Sequence, residues 1–356
     1  MIVKNEEDML EECLLSILDV VSEVVIGDTG STDNTQKIAL RYGISTIPLL
    51  WEGCFATARN AVIDNATQPY VLIMDADERL NEGSADALRE YIQMGTNSVG
   101  KVIIQNVKED NSVILSQITR LFPNNSNYRF EGKIHEQLKF DGRSPIAVTT
   151  SVNLMHLGYM ESAIKHRGKL ERNLLMLSEV ESQEPANSYI QFQLGQTYFV
   201  GKEYDKAVQH LIKAIQLVPE HEQKSIAFLS NAWLSLCYSL LYLEQYDAVL
   251  KNIPDAIQLY PEYTDLYFVY GLTLTSMKHP SALELIPDVF QQCLELGEAD
   301  PNIYETSRGV GSFKAHYNLG VYWEIFGNLT RAQHHYKSAA MAGYQMAADR
   351  LASISQ

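Results

Sequence analysis

The hydrophobic periodicity of the chain changes near residue 160, and this change constrains the fold more than any other feature. Before it, short apolar runs alternate with segments of helical spacing, as in MIVKN, EEDMLEECLLSIL and EVVIGD. After it, helical spacing continues to the end of the chain. Strands that alternate with helices predict a mostly parallel sheet covered on both faces. We therefore expect an α/β domain followed by an all-α domain.

Strand-like runs follow one another between residues 98 and 157 with few helical intervals. They are SVGKVIIQNV, SVILSQITRLF, YRFEGKIHEQLKF and PIAVTTSVNLMHL. Because short connections join antiparallel strands more readily than parallel ones, this part favours antiparallel pairing or an extension of the sheet edge.

The helical half repeats a pattern of small residues that is typical of tetratricopeptide (TPR) units, in which small residues let two helices cross closely. One copy contains Gly195, Ala207, Ala214 and Pro219, and a second contains Gly320, Ala332 and Ala339. Residues 222–300 hold degenerate units that Pro254 and Pro287 interrupt. An array of about four units is predicted, and unrelated helical hairpins remain the alternative for the middle pair.

Domain boundaries follow from these patterns and from the polar stretch ESQEPANS at residues 181–188. We predict an α/β domain over residues 1–165, a connecting helix or linker over 166–186, and helical repeats over 187–356.

Composition excludes several functional classes. The formal net charge of −16 argues against binding to nucleic acid or to an anionic membrane. No apolar run approaches the roughly 20 residues that cross a bilayer. The segment MIVKNEEDML lacks the features of a signal peptide, so a cytoplasmic location is expected.

Polar clusters follow three of the predicted strands: Asn5 and Glu6 after the first, residues 28–33 after the second, and residues 75–78 after the fourth. Ligands of open α/β sheets bind beyond the carboxyl ends of the strands. The chain lacks G-x-G-x-x-G after the first strand and GxxxxGK[ST] anywhere, which disfavours a dinucleotide fold and a P-loop.

The motif D-x-D, formed by Asp75 and Asp77, remains as the chemical signal. In an extended segment, residues two apart point to the same side, so both carboxylates are expected to face one cleft. Hard carboxylate oxygens suit Mg²⁺ or Mn²⁺ that bridges a diphosphate. A surface turn without function is the alternative.

The segments MIVKNEE, DTGSTDNT, ARNAVIDNATQPYVLIMDADE and RFEGKIHEQL resemble the motifs of inverting family 2 glycosyltransferases with the GT-A fold. The fusion to TPR-like repeats is similar to bacterial members that include the sublancin-type peptide S-glycosyltransferases. The resemblance implies a Rossmann-like mixed sheet followed by an all-α TPR-like superhelical domain, a UDP-sugar donor, and Mg²⁺ or Mn²⁺ as cofactor.

The resemblance also assigns residues to the nucleotide. Asn5 and Glu6 match the nucleotide loop after the first strand. Asp28 matches the acidic residue that receives the edge of the uracil ring, and Ser31 and Asp33 belong to the same loop.

Further along the chain, Arg59 and Asn60 match the ARN pair that lines the donor cleft. The resemblance places Asp75 near the ribose or the metal and makes Asp77 the metal ligand. Ala76 lies between them and is expected to leave room for the nucleotide.

Four residues near this motif each have more than one expected role. His156, in MHLGY, matches a histidine that completes metal or diphosphate binding, and a structural histidine is the alternative. Arg120 contacts phosphate or pairs with an acid. Glu78 and Arg79 are expected to pair with each other or to begin the next turn.

Inverting transfer requires a base near the acceptor. In the family's G-x-x-H-E motif, Glu136 is the predicted base, with His135 and Glu131 as further candidates. In the alternative, Glu136 is a rim residue that pairs with Lys133 or Arg129.

The predicted acceptor is a peptide or protein side chain presented with help from the helical half, and the attacking atom (oxygen, sulfur or nitrogen) stays open. Two alternatives remain: transfer to a lipid-linked or polysaccharide acceptor, and a TPR interaction protein whose transferase domain is inactive. A homodimer through the helical half is also expected. Met1 falls within the first predicted strand, so this strand is short or the natural start lies upstream.

Overall fold

The protein is described by a computed structural model, which covers residues 1–95, 97–108, 112–157 and 163–354. Gly158 and Tyr159 of the MHLGY motif lie outside these described residues. The chain divides into two compact units, Met1–Val180 and Glu181–Gln356. The predicted domain boundaries at residues 165 and 187 stay predictions.

The first unit begins with alternating strands and helices. They are β1 (Ile2–Val3), α1 (Leu10–Ile17), β2 (Gly27–Asp28), α2 (Thr35–Arg41), β3 (Ile47–Pro48), α3 (Phe55–Ile63), β4 (Tyr70–Leu72), β5 (Glu78–Leu80) and α4 (Ser84–Gln93). Strands β1, β2 and β3 are parallel, and Val3 lies opposite Asp28. The predicted parallel order is therefore confirmed for these three strands, and the loops that follow β1 and β2 leave the sheet side by side.

The rest of the first unit contains longer strands and a helix. They are β6 (Val99–Val107), β7 (Val113–Pro123), β8 (Tyr128–Glu131), β9 (Gln137–Phe140), β10 (Ala147–His156) and α5 (Ala163–Gln183). Strand β6 pairs antiparallel with β7 and parallel with β10, and β10 pairs antiparallel with β5. The antiparallel expectation is thus right for β6 with β7 and wrong for β6 with β10.

Two further expectations are corrected here. The fourth strand, β4, pairs antiparallel with β7, because the β6–β7 hairpin brings β7 back beside it. The run YRFEGKIHEQLKF is not one strand but the antiparallel hairpin β8–β9. Its turn contains Gly132 at φ 108° and His135 at φ 52°, a backbone conformation that ends an extended strand.

The mixed sheet packs against α1 and α4 through buried apolar side chains. Those of the sheet and the two helices include Cys13, Ile17, Leu88, Tyr91, Val102, Ile104, Leu121 and Leu154. This packing fixes where the strands end, and hence where the polar loops emerge.

The second unit is mostly helical. Its elements are α6 (Ser188–Val200), α7 (Tyr204–Gln216), α8 (Glu220–Gln223), α9 (Ala227–Tyr242), α10 (Tyr246–Leu259), α11 (Thr264–Met277), α12 (Pro280–Leu296), β11 (Thr306–Ser307), α13 (Phe313–Ile325), α14 (Leu329–Met341) and α15 (Gln345–Ile354). Among the described residues, no helix combines the length and the hydropathy that crossing a membrane requires.

Close crossings within the helix pairs have the form that the small-residue pattern predicts. A Cβ at Gly195 would lie 2.7 Å from Leu211, and one at Gly320 would lie 2.5 Å from Tyr336. In the middle of the array, Gly271 meets Phe290 in the same way, at 2.7 Å. All three crossings exclude a side chain, which supports TPR-type pairing in α6–α7, α11–α12 and α13–α14.

The two prolines that mark the middle units as degenerate do not break their helices. Pro254 lies inside α10 and Pro287 lies inside α12. Each follows a buried isoleucine, Ile253 or Ile286, that anchors its helix to the core. Tertiary packing therefore outweighs the loss of one backbone hydrogen bond in each helix.

Candidate functional site

The loops after β1 and β2 are joined by hydrogen bonds. The backbone N–H of Asn5 donates to Ser31 Oγ (3.0 Å), and that of Thr32 donates to Asn5 Oδ1 (2.8 Å). Asn5 has φ 57°, in the left-handed region that asparagine tolerates better than most residues. The Glu6 N–H donates to Thr35 Oγ1 at 2.8 Å. These predicted nucleotide residues therefore hold the two loops to one another.

Asp33 strengthens the same junction. Its Oδ2 accepts from the Glu7 N–H at 3.1 Å, and its Oδ1 accepts from the Thr35 N–H at 3.0 Å. Asp33 thus connects the first residue of α2 to the loop after β1 and helps to fix the shape of this loop.

Asp28 is the buried carboxylate at the end of β2, with 2% exposure. Its Oδ1 accepts from the N–H groups of Gly30 and Ser31, each at 2.7 Å. Its Oδ2 is also buried and has no hydrogen-bond partner among the described residues. A buried acceptor without a donor is costly, so this oxygen indicates a ligand that supplies an N–H or O–H.

The D-x-D motif lies in a turn, which corrects the expectation of an extended segment. The Glu78 N–H donates to the Asp75 carbonyl at 3.1 Å. Ala76 points inward and packs in one buried cluster with Val3 and Ile26. The turn thus directs the methyl group of Ala76 into the core and brings the motif beside β1 and β2. That Ala76 leaves room for a nucleotide stays a prediction.

Asp75 is held by two arginines. Arg120 Nη2 lies 3.0 Å from Asp75 Oδ2, and Arg59 Nη2 lies 3.5 Å from Asp75 Oδ1. Burial acts to raise the pKa of Asp75, but Arg120 and Arg59 outweigh it and hold the pKa well below its usual range. Asp75 is therefore an anion committed to ion pairs, which makes it a poorer metal ligand than its neighbour Asp77.

Glu78 also belongs to this network, whereas its expected ion-pair partner was Arg79. It does not pair with Arg79; its Oε1 lies 3.1 Å from Arg120 Nη2, and its Oε2 accepts from the Asp75 N–H at 2.8 Å. Arg79 pairs instead with Glu12 at 3.3 Å. Burial raises the pKa of Glu78 in spite of Arg120. An arginine in the apolar run SVILSQITRLF was the available signal, since a buried cation needs carboxylates.

Asp77 faces His156 on the last residue of β10. His156 Nε2 lies 3.4 Å from Asp77 Oδ2, and His156 Nδ1 donates to Asn106 Oδ1 at 2.8 Å. Burial lowers the pKa of His156, but the bond to Asp77 outweighs it and raises the pKa overall. Burial raises the pKa of Asp77, and the bond from His156 outweighs it in the other direction. Lys169 Nζ, on α5, lies 3.8 Å from the same Asp77 oxygen.

Arg59 and Glu136 form a second buried pair. Arg59 Nε donates to Glu136 Oε1 at 2.7 Å, and the two side chains are 9% and 10% exposed. The guanidinium also lies over the Phe130 ring, at 5.3 Å from its centroid. The alternative partners of Glu136 are engaged elsewhere: Lys133 pairs with Glu179 and Arg129 with Asp64.

Two further predicted residues lie near this pair: Asn60 bonds the backbone of β8, and His135 precedes Glu136 in the hairpin turn. Asn60 Nδ2 donates to the Phe130 carbonyl, and the Phe130 N–H donates to Asn60 Oδ1, both at 2.9 Å. Asn60 therefore fixes β8, and its predicted place beside the donor stays a prediction. Burial lowers the pKa of His135, whose Nε2 has no partner in the described part of the chain. A neutral histidine beside Glu136 fits a positioning role.

The polar side chains of this site supply only part of the ligand set of a divalent cation. Within the described residues, no group of three or more His, Cys, Asp or Glu side chains is arranged as ready metal ligands. Asp77 and His156 supply two. Mg²⁺ and Mn²⁺ commonly take one or two protein ligands and complete their shell with substrate phosphates and water. Asn106 orients His156 so that Nε2 faces Asp77, as outer-shell acceptors do for metal-binding histidines.

A surface cavity of about 980 Å³ lies elsewhere in the first unit. Its lining residues are Asn97, Ser98, Tyr128, Phe140, Asp141, Arg143, Ser144, Pro145 and Ile146. None of the predicted site residues lines it, so the buried charges, and not this cavity, locate the candidate site.

Residues 1–149 match the family model described as "Glycosyl transferase family 2". A TPR repeat-containing protein of Synechococcus elongatus is 30% identical over 203 residues, which cover 55% of this chain and 50% of that protein. The SPbeta prophage-derived glycosyltransferase SunS of Bacillus subtilis is 25% identical over 286 residues, or 78% of this chain and 67% of SunS.

A shorter match concerns the lipopolysaccharide core biosynthesis glycosyltransferase LpsC of Rhizobium meliloti. It is 33% identical over 101 residues, which cover 27% of this chain and 37% of LpsC. The chain thus spans only half of the Synechococcus protein and about a third of LpsC. The site described above falls almost wholly within residues 1–149, the segment that is similar to the glycosyl transferase family 2 model, and helical pairs with TPR-type crossings follow this segment.

Proposed function

We propose that the chain transfers a sugar from a UDP-sugar to a peptide or protein side chain, with inversion at the anomeric carbon and with Mg²⁺ or Mn²⁺ as cofactor. The observation that carries this proposal is a chain of contacts that links the three proposed carboxylates, Asp28, Asp77 and Glu136. Asp28 ends β2 beside β1, and Ala76, between Asp75 and Asp77, packs against these strands. Arg59 connects Asp75 to Glu136. Each carboxylate has its own environment, and these environments suit contacts with the nucleobase, the diphosphate and the acceptor respectively.

Asp28 supports the part of the proposal that concerns the nucleobase. Its unpartnered, buried Oδ2 is an acceptor for the N–H at the edge of a uracil ring. The bonds from Gly30 and Ser31 to Oδ1 keep the carboxylate fixed without a ligand. The N3–H of uracil is such a donor, and this fit supports UDP as the nucleotide.

The diphosphate end is supported by Asp77 and His156, which would hold the divalent cation. Such a cation, when bound, neutralises the charge that grows on the departing diphosphate. Asp75, tied to Arg59 and Arg120, fixes the turn from which Asp77 projects.

Glu136 is the proposed base. The acceptor oxygen, sulfur or nitrogen forms a bond to the anomeric carbon while the bond from that carbon to the UDP oxygen breaks, and its electron pair leaves with UDP. Glu136 takes the proton of the acceptor. Arg59 orients this carboxylate through the 2.7 Å contact with Oε1.

A thermal-shift panel tests donor binding. The protein is heated with UDP, GDP, a set of UDP- and GDP-sugars, and Mn²⁺ or EDTA. We expect the uridine compounds with Mn²⁺ to raise the melting temperature by several degrees, since a ligand at a hundred times its Kd stabilises a protein by about 2.7 kcal/mol. If no nucleotide sugar shifts the transition, the proposal is wrong, and the inactive TPR interaction protein becomes the better explanation.

A second candidate acceptor is a lipid-linked or polysaccharide chain of the cell envelope, which the similarity to LpsC favours. The TPR-type half and the resemblance to peptide glycosyltransferases favour a peptide. Mass spectrometry of a peptide library and of an oligosaccharide set, each incubated with the bound donor, separates the two by the molecule that gains one sugar mass.

The helical half is also proposed to form a homodimer. Ile325, Phe326 and Leu329 at the α13–α14 connection are 73%, 53% and 48% exposed, an apolar patch that a second subunit would cover. Light scattering of wild-type protein and of Phe326→Ser gives the outcome: a dimer that the substitution dissociates supports this part, and a wild-type monomer overturns it.

A further inference from the structure

Helix α5 contacts the candidate site at three places along one face. From its beginning onward, Lys169 Nζ lies 3.8 Å from Asp77 Oδ2, the Arg172 guanidinium lies 5.1 Å from the centroid of the Phe55 ring, and Glu179 Oε2 lies 2.6 Å from Lys133 Nζ. At about 100° per residue, positions 169, 172 and 179 fall on the same side of a helix. The helix therefore borders the turn that contains Asp77, the start of α3 and the β8–β9 hairpin, which carries Glu136.

Of the three residues on this face of α5, Lys169 lies nearest to the proposed position of the diphosphate. Its ammonium is directed at the same Asp77 oxygen that faces His156. The lysine side chain is 39% exposed, whereas that of Asp77 is 12% exposed. The cation thus stands at the solvent side of the carboxylate, where a ligand entering from the cleft would meet it.

The charges around the turn of residues 75–78 suggest what the Lys169 ammonium does. Arg59 and Arg120 are committed to Asp75, Glu78 and Glu136, so their charge is balanced by buried carboxylates. The diphosphate of a nucleotide sugar carries about two negative charges, and these rise to about three as UDP departs, which exceeds what one divalent cation neutralises. Lysine binds phosphate as a compact point charge on a flexible stem, and a 3.8 Å ion pair is loose enough to be exchanged.

We infer that α5 forms a wall of the donor site and that Lys169 binds the diphosphate of the nucleotide sugar. This role rests on the proposed function and adds to it a phosphate ligand from outside the sheet. On donor binding, Lys169 would move from Asp77 to a phosphate oxygen, and the Asp77 carboxylate would then be available to hold a divalent cation.

The test compares uridine with UDP, because only UDP carries the phosphates. Dissociation constants for both are measured by calorimetry, with Mn²⁺ present, for wild type, Lys169→Ala, Lys169→Arg and the control Lys139→Ala. Lys139 is a partly exposed lysine of β9 that bonds Gln137 and Ser144. Melting temperatures of all variants are recorded, and Lys169→Met replaces Lys169→Ala if the alanine variant does not fold.

We expect Lys169→Ala to bind UDP about ten- to a hundredfold more weakly, the usual effect of losing one bond to a charged group. Uridine binding should stay at the wild-type value, Lys169→Arg should recover most of the UDP affinity, and Lys139→Ala should match wild type. Mn²⁺ alone should bind Lys169→Ala at least as well as wild type, because a competing cation has been removed from Asp77.

Two results overturn the role of Lys169 alone: UDP affinity of Lys169→Ala equal to that of wild type, or an equal loss for UDP and uridine, which indicates a structural function. If wild type itself binds neither UDP nor UDP-sugars, the proposed function fails and the role of Lys169 fails with it.

Discussion

Arg59 joins two carboxylates with different proposed roles. Its Nε holds Glu136 at 2.7 Å, and its Nη2 lies 3.5 Å from Asp75. Its Nη1 is buried without a partner among the described side chains. One guanidinium therefore couples the orientation of the proposed base to the turn that carries Asp77, and it keeps a donor for a ligand.

Glu136→Gln tests the base. Glutamine keeps the size of the side chain and an acceptor for Arg59, but it does not take a proton, so transfer should fall by about 10²–10⁴-fold. The Kd of UDP, from calorimetry, should stay the same. Glu90→Gln, at an exposed position of α4, is the matched control and should transfer normally. Normal turnover of Glu136→Gln would move the base elsewhere.

Asp77→Asn tests the metal position. Loss of the charge removes the stronger of the two proposed protein ligands, so Mn²⁺ should no longer improve UDP binding. Calorimetric titration of UDP with Mn²⁺ and with EDTA gives this difference directly. The control Asp86→Asn changes a carboxylate that is 88% exposed on α4 and should behave as wild type. Tight Mn²⁺-dependent binding by Asp77→Asn would exclude Asp77 as a ligand.

At the scale of the elements, the pairing of β4 with β7 decides the composition of the site. Leu72 lies opposite Leu121, and the Ile73 N–H donates to the Arg120 carbonyl at 2.8 Å. This register places the Arg120 side chain beside Asp75 and Glu78, which are more than 40 residues away in the chain. Removal of Arg120 would leave both carboxylates buried without their partner.

The motifs predict that Asp28, Asp77, His156, Arg59 and Glu136 belong to one domain, and all five lie in the first unit. Their roles toward a nucleotide stay predictions. The contacts of Glu78, Asn60 and Lys169 were missed, because they depend on strand register, on a hairpin in place of one strand, and on where α5 packs. None of these three structural features can be predicted from sequence periodicity.

The helix crossings offer a test at the same scale. Gly320→Ala would place a Cβ 2.5 Å from the buried ring of Tyr336, so α13 and α14 must separate. Overpacking should exceed the gain in helix propensity and lower the free energy of unfolding by about 1–2 kcal/mol, measured with urea. Gly168→Ala on α5, where a Cβ has nothing within 4 Å, should be neutral or stabilising. Equal effects of the two substitutions would contradict the close crossing.

At the scale of the whole molecule, each unit has its own buried charges. In the helical unit, Asp265 is 1% exposed; its Oδ2 accepts from Thr306 Oγ1 at 2.6 Å and its Oδ1 from the Ser307 N–H at 2.8 Å. Burial raises the pKa of Asp265 to about 7. These bonds tie the segment before α13 to α11.

This pKa predicts a pH dependence of stability. The folded state holds the Asp265 proton up to about pH 7, and the unfolded state loses it near the ordinary value of 3.8. Folding therefore favours the protonated form, and the helical unit should lose stability as the pH rises from about 4 to above 7. Urea unfolding at about pH 5 and about pH 8 measures this loss.

Asp265→Asn should remove most of the difference between the two pH values, whereas Asp288→Asn, at an exposed position of α12, should leave it in place. An unchanged pH dependence in Asp265→Asn would show that another group causes it.

Release of UDP from a nucleotide sugar is the measurement on which the proposed transfer chiefly depends. The protein is incubated with Mn²⁺ and a panel of UDP-sugars without acceptor, and free UDP is measured over hours with and without EDTA. We expect slow hydrolysis of at least one UDP-sugar that EDTA and Asp77→Asn both stop and Asp86→Asn does not. Absence of UDP release from every donor, with no donor binding by calorimetry, would contradict the proposed transfer.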